Sequence, residues 1–157
     1  RIHVDPKWLT APQIRYLLAM KELDKDGAGV RSVQIASALG LSKPSIHTML
    51  NTFREMGLIQ KAEYGAACFT ARGLDVVTRY SSYYNAVFRL LMRHFPPDEH
   101  LQTAVYAFLA EIPEENLHGF CDAWDERARF VPVQLNEKED WNGSDYPENR
   151  RDAVRHV

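Results

Sequence analysis

Lys43, Ser45, His47, Thr48, Asn51, Thr52 and Arg54 share a short stretch with Ile46, Met49, Leu50 and Phe53. The apolar set recurs at i, i+3, i+4 and i+7, the spacing of a helix with one dry face. The other face holds cations, small hydroxyls, an imidazole and an amide. These groups make hydrogen bonds to phosphates and to base edges. Ser42 is placed to cap the helix, and Pro44 lies in its first turn, where a missing N–H does no harm. Free backbone N–H groups and the positive dipole end then converge with Ser42, Lys43 and Ser45, which suits a DNA phosphate. His47, Thr48 and Asn51 are the candidates for base edges, and Arg54 for phosphate. The plainer alternative is the solvated face of a packed helix.

The surrounding elements favour the DNA-binding alternative. Thr10 can cap a first helix, with Pro12 in its first turn, Gln13 closing a capping box, and Ile14, Leu17 and Leu18 at helical spacing. Residues 24–29 read as a turn. Val30 to Leu39 reads as a second helix, capped by Ser32, with Val33, Ile35, Ala36 and Leu39 as its apolar stripe and Gly40 as its stop. Arg31 and Ser32, at its start, join the DNA-binding candidates. After the helix that Ser42 caps, Gly57 is the stop. Two β-like runs follow, 58–63 and 67–70, around Tyr64 and Gly65. Lys61 and Tyr64 there could lie against the DNA backbone or minor groove. Helix, helix, short turn, helix, hairpin is the layout of a winged helix-turn-helix. The expected fold is mainly α, with a small β-hairpin wing followed by a helical dimerisation domain.

Thr70 can cap a long helix over 71–94, ended by Pro96 and Pro97. Asp98 begins another, to about Ala110, and Glu114 to Arg129 is a last amphipathic stretch. The expected division is 9–72 for DNA binding, 73–130 for dimerisation and effector response, and 131–157 for a polar tail containing Trp141 and Tyr146.

The chain has 157 residues, 45% hydrophobic and 25% charged, which excludes wholesale disorder and low complexity. Residues 1–97 carry 13 Lys and Arg against 7 Asp and Glu, whereas residues 98–157 carry 6 against 14. A basic front half suits a polyanion. No apolar run reaches the roughly 18 residues of a membrane span, and residues 1–8 hold no apolar signal-peptide core. Two cysteines, Cys68 and Cys121, make neither a disulfide framework nor a four-thiolate site, so a cytoplasmic location is expected. No phosphate loop, HExxH or G-x-S-x-G is present, so no enzyme and no cofactor is expected.

The stretch GVRSVQIASALGLSKPSIHTMLNTFREMGLIQKAEYGAACFTARG, residues 29–73, resembles the DNA-binding domain of the diphtheria-toxin-repressor (DtxR/MntR) family of iron- and manganese-dependent repressors. VRSVQIA, LGLSKPSI, EMGLI and a hairpin leading into T-x-x-G carry the likeness, which extends more weakly over Thr10 to Phe120. It implies a cytosolic homodimer on a palindromic operator. The positions matching that family's metal ligands hold Arg15, Leu18, Tyr84, Val105, Phe108 and Leu109. These offer no imidazole, carboxylate or thiolate, so the family's metal site is expected to be absent, leaving an apolar and aromatic core with Arg15 in place of metal charge.

Alternatives remain beside this reading. Tyr80, Tyr84, Phe88, Tyr106 and Phe108 are a candidate pocket for a small-molecule effector, though an aromatic core or dimer seam explains the same stripe more simply. Glu114, Glu115, His118, Cys121 and Asp122 share a helical face that could hold a relocated divalent metal, with solvated acidic surface as the commoner meaning. Cys68 in the wing is a structural thiol before it is a redox switch. A ligand-responsive regulator in the dimeric winged-helix style of the MarR group is one further possibility. A winged helix turned to protein interaction is another.

Overall fold

A computed structural model of the protein describes residues 9–61 and 65–125. It contains, in order, α1 (Ala11–Leu23), α2 (Ser32–Leu39), α3 (Lys43–Glu55), β1 (Ile59–Lys61), β2 (Ala67–Phe69), α4 (Ala71–Leu91), α5 (Glu99–Glu111) and α6 (Glu114–Asp125). The mainly helical winged fold expected from the sequence is the fold observed.

Local chemistry sets the boundaries. Thr10 and Gln13 form a capping box, with the Thr10 hydroxyl accepting from Gln13 N at 3.3 Å and the Gln13 carbonyl oxygen accepting from Thr10 N at 2.9 Å. Ser42 accepts from Ser45 N, Thr70 from Gly73 N and Asp98 from Leu101 N. Each satisfies a backbone donor that the first helical turn leaves unpaired. Gly40 ends α2 in the left-handed region, at φ 64°, where a Cβ is costly.

Three expected boundaries move. Ser32 does not cap α2 but is its first residue. Arg31 holds the cap position, and its N–H is taken by the Gln34 side chain at 2.9 Å. Val30 lies outside the helix because its backbone exchanges hydrogen bonds with Ala67, at 2.9 and 2.8 Å, as a short bridge onto the wing. The long helix stops at Leu91 rather than His94. His94 N and Phe95 N both donate to Leu91 O, so the chain closes in a tight turn.

β1 and β2 pair antiparallel, with Gln60 opposite Cys68. The hairpin is tied to α4 at its base. Thr70 N donates to Leu58 O at 3.0 Å, and the Thr70 hydroxyl donates to Gly57 O at 2.6 Å. Gly73 sits so close to Leu58 that a Cβ would overlap the Leu58 carbonyl oxygen.

One apolar core runs from Leu9 to Cys121 and joins every helix. The helix α1 packs against α2, α4 and α5, and α6 packs on α4. The segments before and after residue 72 therefore share this core. Tyr83 through Phe88 are all buried, so the middle of α4 is enclosed on every side by its own chain. Among the described residues no helix is long and apolar enough to cross a membrane.

Candidate nucleic-acid interface

Ile46, Leu50 and Phe53 anchor α3, with Ile46 and Phe53 fully buried. Met49, expected among them, is only half-buried. Phe53 meets the edge of Tyr16 from α1, with ring centroids 6.5 Å apart. This anchoring leaves Lys43, Ser45, His47, Thr48 and Arg54 exposed, and Asn51 and Thr52 half-buried at the margin. The expected DNA-binding side chains of α3 thus share one wet face.

Several of these groups are already engaged within the helix. The Ser42 and Ser45 hydroxyls lie 2.9 Å apart. Thr48 Oγ1 donates to Pro44 O at 3.0 Å and Thr52 Oγ1 to Thr48 O at 3.1 Å. Arg54 donates to the Asn51 carbonyl oxygen at 3.0 Å, a contact whose i, i+3 spacing was visible in the sequence. Arg31, Ser32, Pro44 and Lys61 are exposed. Tyr64 lies outside the described residues, as do Arg129 and the segment 131–157. Arg72, overlooked in the sequence, is also exposed in the first turn of α4, beside the Gly73 that touches the wing.

The aromatic set divides. Tyr84 stacks on Phe88, at a centroid distance of 5.6 Å, and lies 5.0 Å from Tyr106. Tyr80 meets Tyr83 edge-on at 5.2 Å. These rings are buried in mutual contact, whereas Phe108 is turned outward and 44% exposed, so it does not line a pocket with them. Burial pushes the Tyr84 hydroxyl well above the ordinary tyrosine range, helped by charge repulsion from Tyr106 and by the hydrogen bond to it. Burial also pushes Tyr106 up to about 12, against the opposing influence of Arg15 and the hydrogen bond from Tyr84.

Glu114, first of the candidate relocated ligands, faces inward toward Arg79 and Tyr83. It accepts from Arg79 Nε at 2.6 Å and from the Tyr83 hydroxyl at 3.1 Å, and Arg79 also pairs with Asp75. Burial, then the Glu114 charge, raises Tyr83 far above its ordinary value. His118 pairs with Asp122 at 3.5 Å, and Cys121 is buried with its thiol donating to Ser82 O at 3.8 Å. Among the described residues no group of three or more His, Cys, Asp or Glu could hold a metal.

An exposed polar helix, presented by a two-helix support and flanked by a wing, defines the helix-turn-helix class of DNA-binding domains. Residues 17–63 match the IclR helix-turn-helix domain. The chain thus carries a helix-turn-helix domain of the DNA-binding kind found in transcription regulators, which supports DNA as a partner. The crystal structure of the hypothetical protein SSo2273 from Sulfolobus solfataricus is similar in fold, with a TM-score of 0.57 and 21% identity over 75% of this chain and 91% of that one. A comparison with curated proteins yields no match.

The match to the IclR domain overturns the resemblance to the DtxR/MntR family, a different family of transcription factors. The structure explains the error. Gly40 provides a left-handed cap, Ser42 caps α3, Gly57 turns the chain at φ 73°, and Thr70 with Gly73 seats α4 on the wing. The pieces that carried the likeness are those a winged helix needs for its turns, and they do not separate one family from another. The supposed metal-ligand positions follow suit. Leu18, Tyr84, Val105 and Leu109 are core residues, while Arg15 and Phe108 face solvent.

Proposed function

We propose that this protein is a sequence-specific transcription regulator that inserts α3 into the major groove as a homodimer on a palindromic operator. Lys43 and Arg54 contact phosphate, and His47, Thr48 and Asn51 meet base edges. Ser42, Pro44 and Ser45 bring the start of α3 to the backbone, with Arg31 and Ser32 at the start of α2, Lys61 in β1 and Tyr64, outside the described residues, as flanking contacts. The observation that carries the reading is the division of α3 into a buried face of Ile46, Leu50 and Phe53 and an accessible polar one. Pairing two copies would present two recognition helices about one helical turn, or multiples, apart. It would also supply the contact area that a single module lacks.

An electrophoretic mobility shift over genomic fragments and a salt series tests this. Saturable binding that weakens steeply with salt is the expected result. Binding that is neither saturable nor salt-dependent would leave a winged helix serving protein interaction. Lys43→Ala should weaken all sequences alike and reduce the salt slope by about 1.

A further inference from the structure

We infer that Arg54 fixes the amide of Asn51 so that α3 reads guanine at the base this residue meets. The inference rests on the proposal that α3 enters the major groove. Arg54 Nη1 donates to Asn51 Oδ1 at 3.0 Å. A guanidinium offers donors and no acceptor, so only the carbonyl oxygen of the amide can face it. Asn51 Nδ2 is thereby turned away from Arg54, with two N–H groups to give.

The neighbouring hydroxyls cannot substitute for it. Thr48 and Thr52 have spent their hydroxyl protons on the carbonyls of Pro44 and Thr48. They meet DNA as acceptors and methyl groups, which leaves Asn51 as the amide donor beside them. In the major groove guanine shows two acceptors, N7 and O6, whereas adenine shows an acceptor and a donor, cytosine a donor, and thymine a single acceptor, O4, beside its methyl group. An unconstrained asparagine pairs with adenine through both amide atoms. An amide whose oxygen is held by Arg54 presents donors alone and matches the guanine edge. Asn51 is then the specificity-determining residue and Arg54 a positioning residue.

The test is selection from duplexes with a randomised central segment, followed by sequencing. The relevant base position is the one whose preference Asn51→Ala abolishes. Guanine is expected there for the wild type, and changing it to adenine in a purified duplex should weaken binding roughly tenfold. Arg54→Ala frees the oxygen, so adenine should rise to parity with guanine at that position alone. A cation that only contacts phosphate would, when lost, lower all affinities and leave the preference unchanged. Asn51→Asp, which presents acceptors only, should move the preference to cytosine. The inference is overturned by adenine or thymine at that position in the wild type, by an Arg54→Ala profile that matches the wild type, or by an Asn51→Ala profile with every preference intact. None of these touches the proposal that α3 enters the major groove; the last would remove only Asn51 from its base-contacting set. Failure of the wild type to bind any duplex saturably overturns that proposal, and this inference with it.

Discussion

The helices α3 and α4 begin alike, each capped by a hydroxyl residue, and end in opposite circumstances. One face of α3 is dry and the other is open, with its side chains bonded along the helix. The middle of α4 has no open face, because α1, α5 and α6 surround Tyr83 to Phe88. A helix with one unpartnered polar face is available to an outside partner. The middle of α4, enclosed by its own chain, is a scaffold, and a seam between two copies would have to lie outside it.

The sharpest way to break this comparison is to remove the anchor that holds α3. Phe53→Ala empties a fully buried site and should cost about 4 kcal/mol, read as a lower denaturant midpoint, with DNA binding lost in parallel. Stability unchanged within 1 kcal/mol would mean that α3 is not held by its dry face.

Gly73→Ala comes next. Its Cβ would overlap backbone rather than a flexible side chain, so α4 or the wing must shift, at about 2 kcal/mol. The measurement is a thermal melt alongside hydrogen exchange at Thr70 N, whose bond to Leu58 should loosen first.

The aromatic core of α4 predicts an alkaline limb. Tyr106 is raised to about 12 and Tyr84 is raised as well, both chiefly by burial. In the unfolded chain these hydroxyls ionise near 10, so above that pH the unfolded state loses protons that the folded state keeps. Stability is therefore full below about pH 10 and falls as pH rises toward 12. Tyr84→Phe should flatten this decline and cost about 1 kcal/mol at neutral pH through the lost hydroxyl bond. An unchanged alkaline limb would assign the titration to other buried tyrosines, Tyr83 or Tyr106, rather than to Tyr84.

How much of this was legible in the sequence follows the same divide. The caps at Thr10, Ser42 and Thr70, the stop at Gly40 and the buried stripe of α3 could be read because each is a local rule. The bridge from Val30 to Ala67 could not, since it depends on a partner 37 positions away. Nor could the pairing of Arg79 with Glu114, 35 positions apart, which turned a candidate metal ligand into a tie between α4 and α6. Val33 fitted the apolar periodicity of α2 and yet is 62% exposed, because a helix of eight residues has too few turns to fix which side meets the core. Family membership failed for a different reason: residues demanded by turns and caps are shared by unrelated winged helices.

The smallest expected effect on the folded monomer concerns the residues that the α4 scaffold leaves uncovered. Phe108 lies on α5 at the margin of the face that buries Val105 and Leu109, and it is turned out to solvent. Phe108→Ser removes no core packing and should shift the monomer's stability by no more than about 0.5 kcal/mol. Its effect on association is a separate quantity. If two copies pair through the helices after residue 73, an exposed phenylalanine there is a contact that serine cannot replace, and sedimentation equilibrium should show the dimer weakened while the melt of the dilute monomer stays in place. A dimer that survives Phe108→Ser unchanged would move the seam away from this face of α5. A monomer that melts earlier would show that Phe108 is covered after all, and the contrast between an open α3 and an enclosed α4 would then extend one helix further than drawn.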